Sequence, residues 1–372
     1  MSPDVVVIGA GAIGTSIAYQ LAKAGARVMI FDRGLVGRAS TGASAGMLIA
    51  RDGHSRPEAF ATLLRESARL FPALADELRD RTGMDIGFRR SGVLQVAFDE
   101  AQARELRAQR DWEVDHGVVV PWLDARGALD LEPAVNPAIT AAIYHADDHH
   151  VLPLPFAQAL ARAAADLGSV VREGAAIDRL RIEADRVVGV AIGDEVVLAD
   201  EVVIANGTWA GAWSEVLRVP IPVRPIRGQM VALRTPGTAL RQLIHDADGY
   251  ALTRADGITI VGTTVEDVGF DPRPTATMVA RLLAQAAQLA PRLADATFVE
   301  AWAGLRPGTP DGLPMIGRLG EWRGLSIATG HFRNGILLAP ITGELIADLL
   351  LRRQPRLALD DFDPTRFVIR AA

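Results

Sequence analysis

Asp4-Val5-Val6-Val7-Ile8-Gly9-Ala10-Gly11-Ala12-Ile13-Gly14 stands at the head of the chain and leads straight into an apolar helical stretch. Val5 to Ile8 is an uninterrupted β-branched run, the pattern of a parallel strand buried on both faces. Gly9 permits the tight turn that follows, Gly11 lets the backbone approach a pyrophosphate, and Gly14 lets the helix pack closely on the strand. The head of the helix offers free N–H groups and the positive end of its dipole to phosphates. Gly25 follows the helix, Arg27 to Phe31 reads as a second strand, and Asp32 closes it. Asp32 lies 18 residues beyond Gly14, close to the spacing of about 20 typical of an acid that binds a ribose hydroxyl. Strand, helix, second strand and acid together predict a dinucleotide site, where the glycine pattern alone would be weak.

The chain has 372 residues, enough for about two ordinary domains or one large one. Hydrophobic residues make up 49% and charged residues 23%, a globular balance. A net charge of −6 lends no electrostatic support to nucleic-acid binding. With no cysteine present, disulfides, thiolate metal sites, a cysteine nucleophile and a flavin tethered through cysteine are excluded. The absence of cysteine also fits a cytoplasmic location. No leader-like segment precedes the first strand, and no run approaches the ~18 apolar residues of a membrane span.

Downstream, the loop from Gly34 to Gly46 is built of small residues that let the backbone lie against an extended ligand. Pro57 to Arg81 is amphipathic, with Pro72 predicting a kink or a break. The middle of the chain alternates strands (91–98, 187–192, 195–198, 223–234) with helices over 99–116 and 152–167, the latter broken at its start by Pro153 and Pro155. Gly249 to Arg254 and Ile258 to Thr264 read as a hairpin turning at Ala255-Asp256-Gly257. Parallel-type strands at the start, near 203 and near 327 imply one discontinuous Rossmann-type α/β domain with a second, mainly antiparallel β-sheet domain inserted into it. The expected division is 1–85, 145–217 and 301–372 against 86–144 and 218–300.

Two late segments carry the chemistry. Phe298 to Ala303 reads as a strand running into Gly304-Leu305-Arg306-Pro307, and Leu325 to Ala328 as a strand running into Thr329-Gly330-His331-Phe332-Arg333-Asn334-Gly335. Each arginine presents a rigid fork suited to a carboxylate. His331 reads as a hydrogen-bonded loop histidine rather than a proton-transfer group. Asp147-Asp148-His149-His150 reads as a solvated loop rather than a metal site, because adjacent side chains of an extended chain point to opposite sides. No Gly-x-Ser-x-Gly elbow is present.

With Trp302 to Gly308, Gly330 to Pro340, Ala45-Gly46-Met47 and Ala205-Asn206-Gly207-Thr208-Trp209, the sequence resembles the FAD-dependent glycine oxidase family of thiamine biosynthesis, within the wider D-amino-acid oxidase and sarcosine oxidase group. The resemblance covers nearly the whole chain. It implies non-covalent FAD, with Ala12 and Ile13 at the pyrophosphate, Asp32 and Arg33 at the adenosine ribose, and Ile177, on the strand after helix 152–167, on the adenine side. Ser40, Thr41, Ala45, Gly46 and Met47 would line the cofactor towards the flavin, and His331, Phe332, Arg333, Asn334, Gly335, Ile336 and Leu337 would wrap its ring. Arg306 would pair with the substrate carboxylate, Tyr250 would assist it, and Arg333 would lie near both substrate and flavin. Val265 and Asp248 stand where relatives have a Met and a His, which bears on the preference among small amines.

The implied reaction oxidises glycine, sarcosine or a small D-amino acid to the imine, with O2 reduced to hydrogen peroxide. The imine would hydrolyse to glyoxylate and ammonia or feed thiazole formation by a thiazole synthase. Asn334 and Gly335, read as the start of the last helix, would aim its positive end at charge developing on the reduced ring. A dry pocket holding a guanidinium would favour the neutral amine, so no dedicated base is required. Relatives being tetrameric, a homo-oligomer is implied. Two rival readings are a dehydrogenase of the same fold that passes electrons to a quinone or partner protein, and a non-catalytic flavin-binding subunit.

Overall fold

The protein is described here by a computed structural model covering residues 2–51, 57–235 and 240–368. Val5–Ile8 lies inside a six-stranded sheet, flanked in parallel by Val28–Phe31 and Glu201–Ile204. Val170–Arg172 extends the sheet on one side, and Leu325–Thr329 followed by the antiparallel Met315–Arg318 on the other. Segments far apart in sequence therefore share one sheet, as the scattered parallel-type strands predict. Helices Ala12–Lys23, Glu58–Thr82, Pro153–Asp166 and Ala339–Leu350 bury Ile17, Leu21, Phe71, Phe156 and Leu345 in the core on one face. The antiparallel meander Arg179–Glu183, Arg186–Ile192 and Glu195–Leu198 covers the other through Leu180, Val187 and Val190.

The second sheet has eight strands, in the order Thr297–Gly308, Arg224–Arg234, Ile258–Gly262, Tyr250–Thr253, Leu243–His245, Val93–Ala97, Ala141–His145 and Trp122–Leu123. All its pairings are antiparallel except that between Leu243–His245 and Val93–Ala97. Strand alternation divides its faces. Val231, Leu233, Ala251 and Val261 pack on helix Ala276–Leu289. Met230, Ala232, Tyr250, Leu252 and Ile260 face the other way, onto Ala45 and Met47 of the loop after the second strand. That face positions the site.

Several expectations change. Helix Glu58–Thr82 continues through Pro72 without a break, because the buried stripe of Phe71, Leu74 and Leu78 outweighs one lost hydrogen bond. Pro153 sits in the first turn of its helix, where the missing N–H costs nothing, so no break occurs. Ile177 lies in a loop between strands rather than on one. Thr297–Gly308 is a single 12-residue strand in the second sheet, so Arg306 stands on a strand rather than on a loop after one, and the expected boundary at 301 falls within it. The last helix begins at Ala339, with Pro340 in its first turn, after a 3-10 turn at Phe332–Asn334; Asn334 and Gly335 precede it. Asp147 stays exposed in a turn, but Asp148 to His150 is not a solvated loop. His149–His150 pairs with Met47–Leu48, Asp148 is buried in an ion pair with Arg51, and His150 is buried beside Ser91.

Candidate active site

A cavity of about 830 Å³ runs between the two sheets, within the range of small-molecule sites. Gly9, Gly11, Ala12, Ile13, Asp32, Arg33 and Ile177 line one end, and Ser40, Thr41, Ala45, Gly46 and Met47 the middle. Tyr250, Arg306, His331, Phe332, Arg333, Gly335 and Ile336 line the other end. Gly14, Asn334 and Leu337 do not reach the wall.

The opening motif has the geometry its residues require. Gly9 has φ +110°, and a Cβ there would lie 2.5 Å from the Ala205 carbonyl oxygen. A Cβ on Gly14 would lie 1.9 Å from the Gly9 oxygen, so Gly14 serves helix–strand packing rather than ligand contact. The Ala12 N–H donates to Thr41 Oγ1 at 3.0 Å, tying the helix head to the small-residue loop. Asp32 accepts the Ala10 N–H at 2.7 Å and the Gly34 N–H at 2.8 Å. Each of its oxygens keeps acceptor capacity for a hydroxyl. The Arg33 guanidinium stacks 3.7 Å from the Trp209 ring centroid. The glycine cradle, the held acid and the extended groove fit a flavin dinucleotide, and with no cysteine in the chain no thioether link to it is possible.

At the opposite end Arg306 projects across the sheet. Nη1 donates to the Thr264 carbonyl at 3.1 Å and Nη2 to Thr263 Oγ1 at 2.7 Å. It lies over Gly228, where a Cβ would come within 2.1 Å of Nη1. Among the described residues no carboxylate pairs with it, and desolvation pushes its pKa down. A guanidinium held this way is open to an anion. The Tyr250 hydroxyl donates to Met230 Sδ at 3.5 Å, and burial raises its pKa to about 12, so it remains a neutral donor. His331 is buried with Nε2 3.0 Å from Thr342 Oγ1, and burial lowers its pKa to about 3. Burial also lowers the pKa of Arg333. Phe332 has φ +48°, a conformation costing roughly 1–3 kcal/mol that tends to occur at functional sites.

Sequence reasoning passed over Gly228, Thr263, Thr264, Met230 and His245. An isolated glycine inside a strand signals close approach of another group, and Gly228 could have been found that way. The two threonines follow a hairpin strand and carry no local signal. His245 lies opposite Tyr250 in the antiparallel pair and lines the cavity. Among the described residues no group of three or more potential ligands could hold a metal ion, and no helix is long and apolar enough to cross a membrane.

The chain is similar to a glycine oxidase of Geobacillus kaustophilus (strain HTA426), 37% identical over 367 residues, with 98% of this chain and 97% of the relative covered. It is 33% identical to a bifunctional protein ThiO/ThiG of Trichormus variabilis, all of this chain matching 56% of that protein. A crystal structure of glycine oxidase from Geobacillus kaustophilus superimposes with a TM-score of 0.93 at 36% identity over 99% of each chain. A family model described as FAD dependent oxidoreductase matches residues 4–349. The chain belongs to the DAO family of FAD-dependent oxidoreductases.

Proposed function

We propose that the protein oxidises glycine, and with it sarcosine and small D-amino acids, to the corresponding imine. The observation that carries this reading is Arg306, a desolvated guanidinium on the cavity wall, held by Thr263 and Thr264 and without a carboxylate partner among the described residues. When bound, FAD would supply the two-electron acceptor for the hydride equivalent of Cα, with O2 as the final oxidant and hydrogen peroxide as the product. Asp32, Arg33 and Ile177 hold the adenosine end, Ala12 and Ile13 the pyrophosphate, and Ser40, Thr41 and Ala45 to Met47 the stretch towards the flavin. His331, Phe332, Arg333, Gly335 and Ile336 would surround the ring, with Asn334 and Leu337 next to them in the chain.

Arg306 takes the substrate carboxylate, Tyr250 adds a neutral donor, and Arg333 lies near both substrate and flavin. Fixing a small substrate by its acid end orients the Cα–H bond, a contribution of up to ~7–11 kcal/mol when near ideal. The surrounding positive charge favours loss of the amine proton. Purified protein mixed anaerobically with glycine should lose its flavin absorbance; an unchanged spectrum removes the proposal. Peroxide yield in air separates an oxidase from a dehydrogenase.

The imine hydrolyses to glyoxylate and ammonia or passes to a thiazole synthase, a partner suggested by the fused ThiO/ThiG relative. We further assign the chain to a cytoplasmic homo-oligomer, a tetramer by resemblance. Residues 1–85, 145–217 and the chain beyond strand Thr297–Gly308 form its FAD domain, and residues 86–144 and 218–308 its substrate domain.

A further inference from the structure

The sheet that carries Arg306 also grips the loop that lines the middle of the cavity. Trp302 Nε1 donates to the Ala43 carbonyl at 2.9 Å, and Arg254 Nη2 donates to the next carbonyl, Ser44, at 2.7 Å. Gly304, between Trp302 and Arg306, faces the same loop so closely that a Cβ would lie 2.7 Å from Ala43 Cβ. The Ser40 hydroxyl donates back to the Leu305 carbonyl. Arg254 follows strand Tyr250–Thr253, so alternation puts it on the same face as Tyr250 and Leu252. Loop and sheet are thus joined by three hydrogen bonds and one close approach, at Ser40, Ala43 and Ser44 of the loop, beside the two residues that meet the substrate.

Arg254 is the costly member of this set. Among the described residues it makes no ion pair, its Nε is buried without a partner, and burial lowers its pKa. A desolvated cation that does not pair with a carboxylate contributes little to stability. Its guanidinium donates to a loop carbonyl whose neighbours Ala45, Gly46 and Met47 line the cavity.

We propose that Arg254, together with Trp302, is a positioning device that registers the cofactor-lining loop against the substrate-anchoring sheet. The clamp sets the distance between the carboxylate anchor Arg306 and the loop that lines the cofactor groove, while neither Arg254 nor Trp302 lines the cavity itself. Geometry between reacting centres is lost steeply with displacement: a shift of about 1 Å can cost on the order of a hundredfold in rate. Removing the clamp therefore slows the chemical step and leaves carboxylate binding intact.

The inference rests on the glycine-oxidation reading, and its test separates the two. FAD-loaded wild type, Arg254→Met, Arg254→Lys and Trp302→Phe are compared by anaerobic flavin reduction with glycine, by KM, and by circular dichroism in the flavin absorption bands. Arg254→Met should reduce at least tenfold more slowly with KM within twofold, and its flavin dichroism should change before any substrate is added. Arg254→Lys should recover part of the rate, and Trp302→Phe should show the same split between kcat and KM. Unchanged reduction and dichroism in both Arg254→Met and Trp302→Phe would overturn the clamp, as would a loss of rate accompanied by an equal loss of glycine affinity. If glycine fails to reduce the wild type, the activity reading falls, and the dichroism of the loaded variants still decides on the clamp.

Discussion

Replacing Arg306 by Met tests the central arrangement most directly. A guanidinium has five N–H donors, and here Nη1 and Nη2 each give one to Thr264 and Thr263. One hydrogen remains on each, enough for two bonds to a carboxylate. Removing one partner of such a charge pair costs about 2–5 kcal/mol, or roughly thirty- to several-thousand-fold in glycine affinity. Stability should move far less. The variant loses two hydrogen bonds to a charged group, at about 1.5–3 kcal/mol each, and regains the several kcal/mol spent on desolvating an unpaired cation. Anaerobic glycine titration of the FAD-loaded variant, with a thermal melt alongside, reads both quantities. Glycine affinity within threefold of wild type, in a folded and flavin-loaded Arg306→Met, would refute the anchoring role.

Gly228→Ala places a methyl group where the Arg306 guanidinium lies, with a Cβ 2.1 Å from Nη1; KM for glycine should rise at least tenfold while FAD content, read from the absorbance ratio, stays normal. Gly14→Ala drives a Cβ to 1.9 Å from the Gly9 oxygen, so the purified variant should be colourless or insoluble. Tyr250 keeps its proton up to about pH 12 and His331 is neutral above about pH 3, so kcat/KM for glycine should climb with pH as the substrate amine deprotonates, with no alkaline decline from Tyr250 below that value. His150, His245 and His331 have pKa values lowered by burial to about 4, 4 and 3. The unfolded chain then binds more protons below pH 6.5, and stability should fall as acid is added, by up to about 1.4 kcal/mol per pH unit for each histidine; a flat urea midpoint between pH 6.5 and 4.5 would contradict this.

Where the chain carries strong local constraints, its reading and its structure agree. Val5 to Ile8, the three glycines and Asp32 form a unit within 32 residues, and the cradle is built as their chemistry requires. Hairpin 250–262 is similarly local, its turn marked by Asp256-Gly257. Two of the misreadings share one cause, namely that long-range packing overrules a local preference. Pro72 stays helical because its neighbours are buried, and Asp148 to His150 is drawn inward by pairing with Met47–Leu48 and by Arg51.

The amino-acid sequence by itself therefore determined the nucleotide cradle, the class of ligand and the two arginines worth examining, because glycine φ requirements, β-branched runs and guanidinium chemistry act over a few residues. Only the tertiary structure decided what Arg306 touches. Gly228 reaches it from the neighbouring strand, and Thr263 and Thr264 from just beyond strand Ile258–Gly262, 42 or more residues away along the chain, and the loop 40–46 meets the Arg306 strand, through Ser40 and Leu305, only because two sheets close on one another. Side chains brought together by strand pairing leave no spacing in the sequence to read.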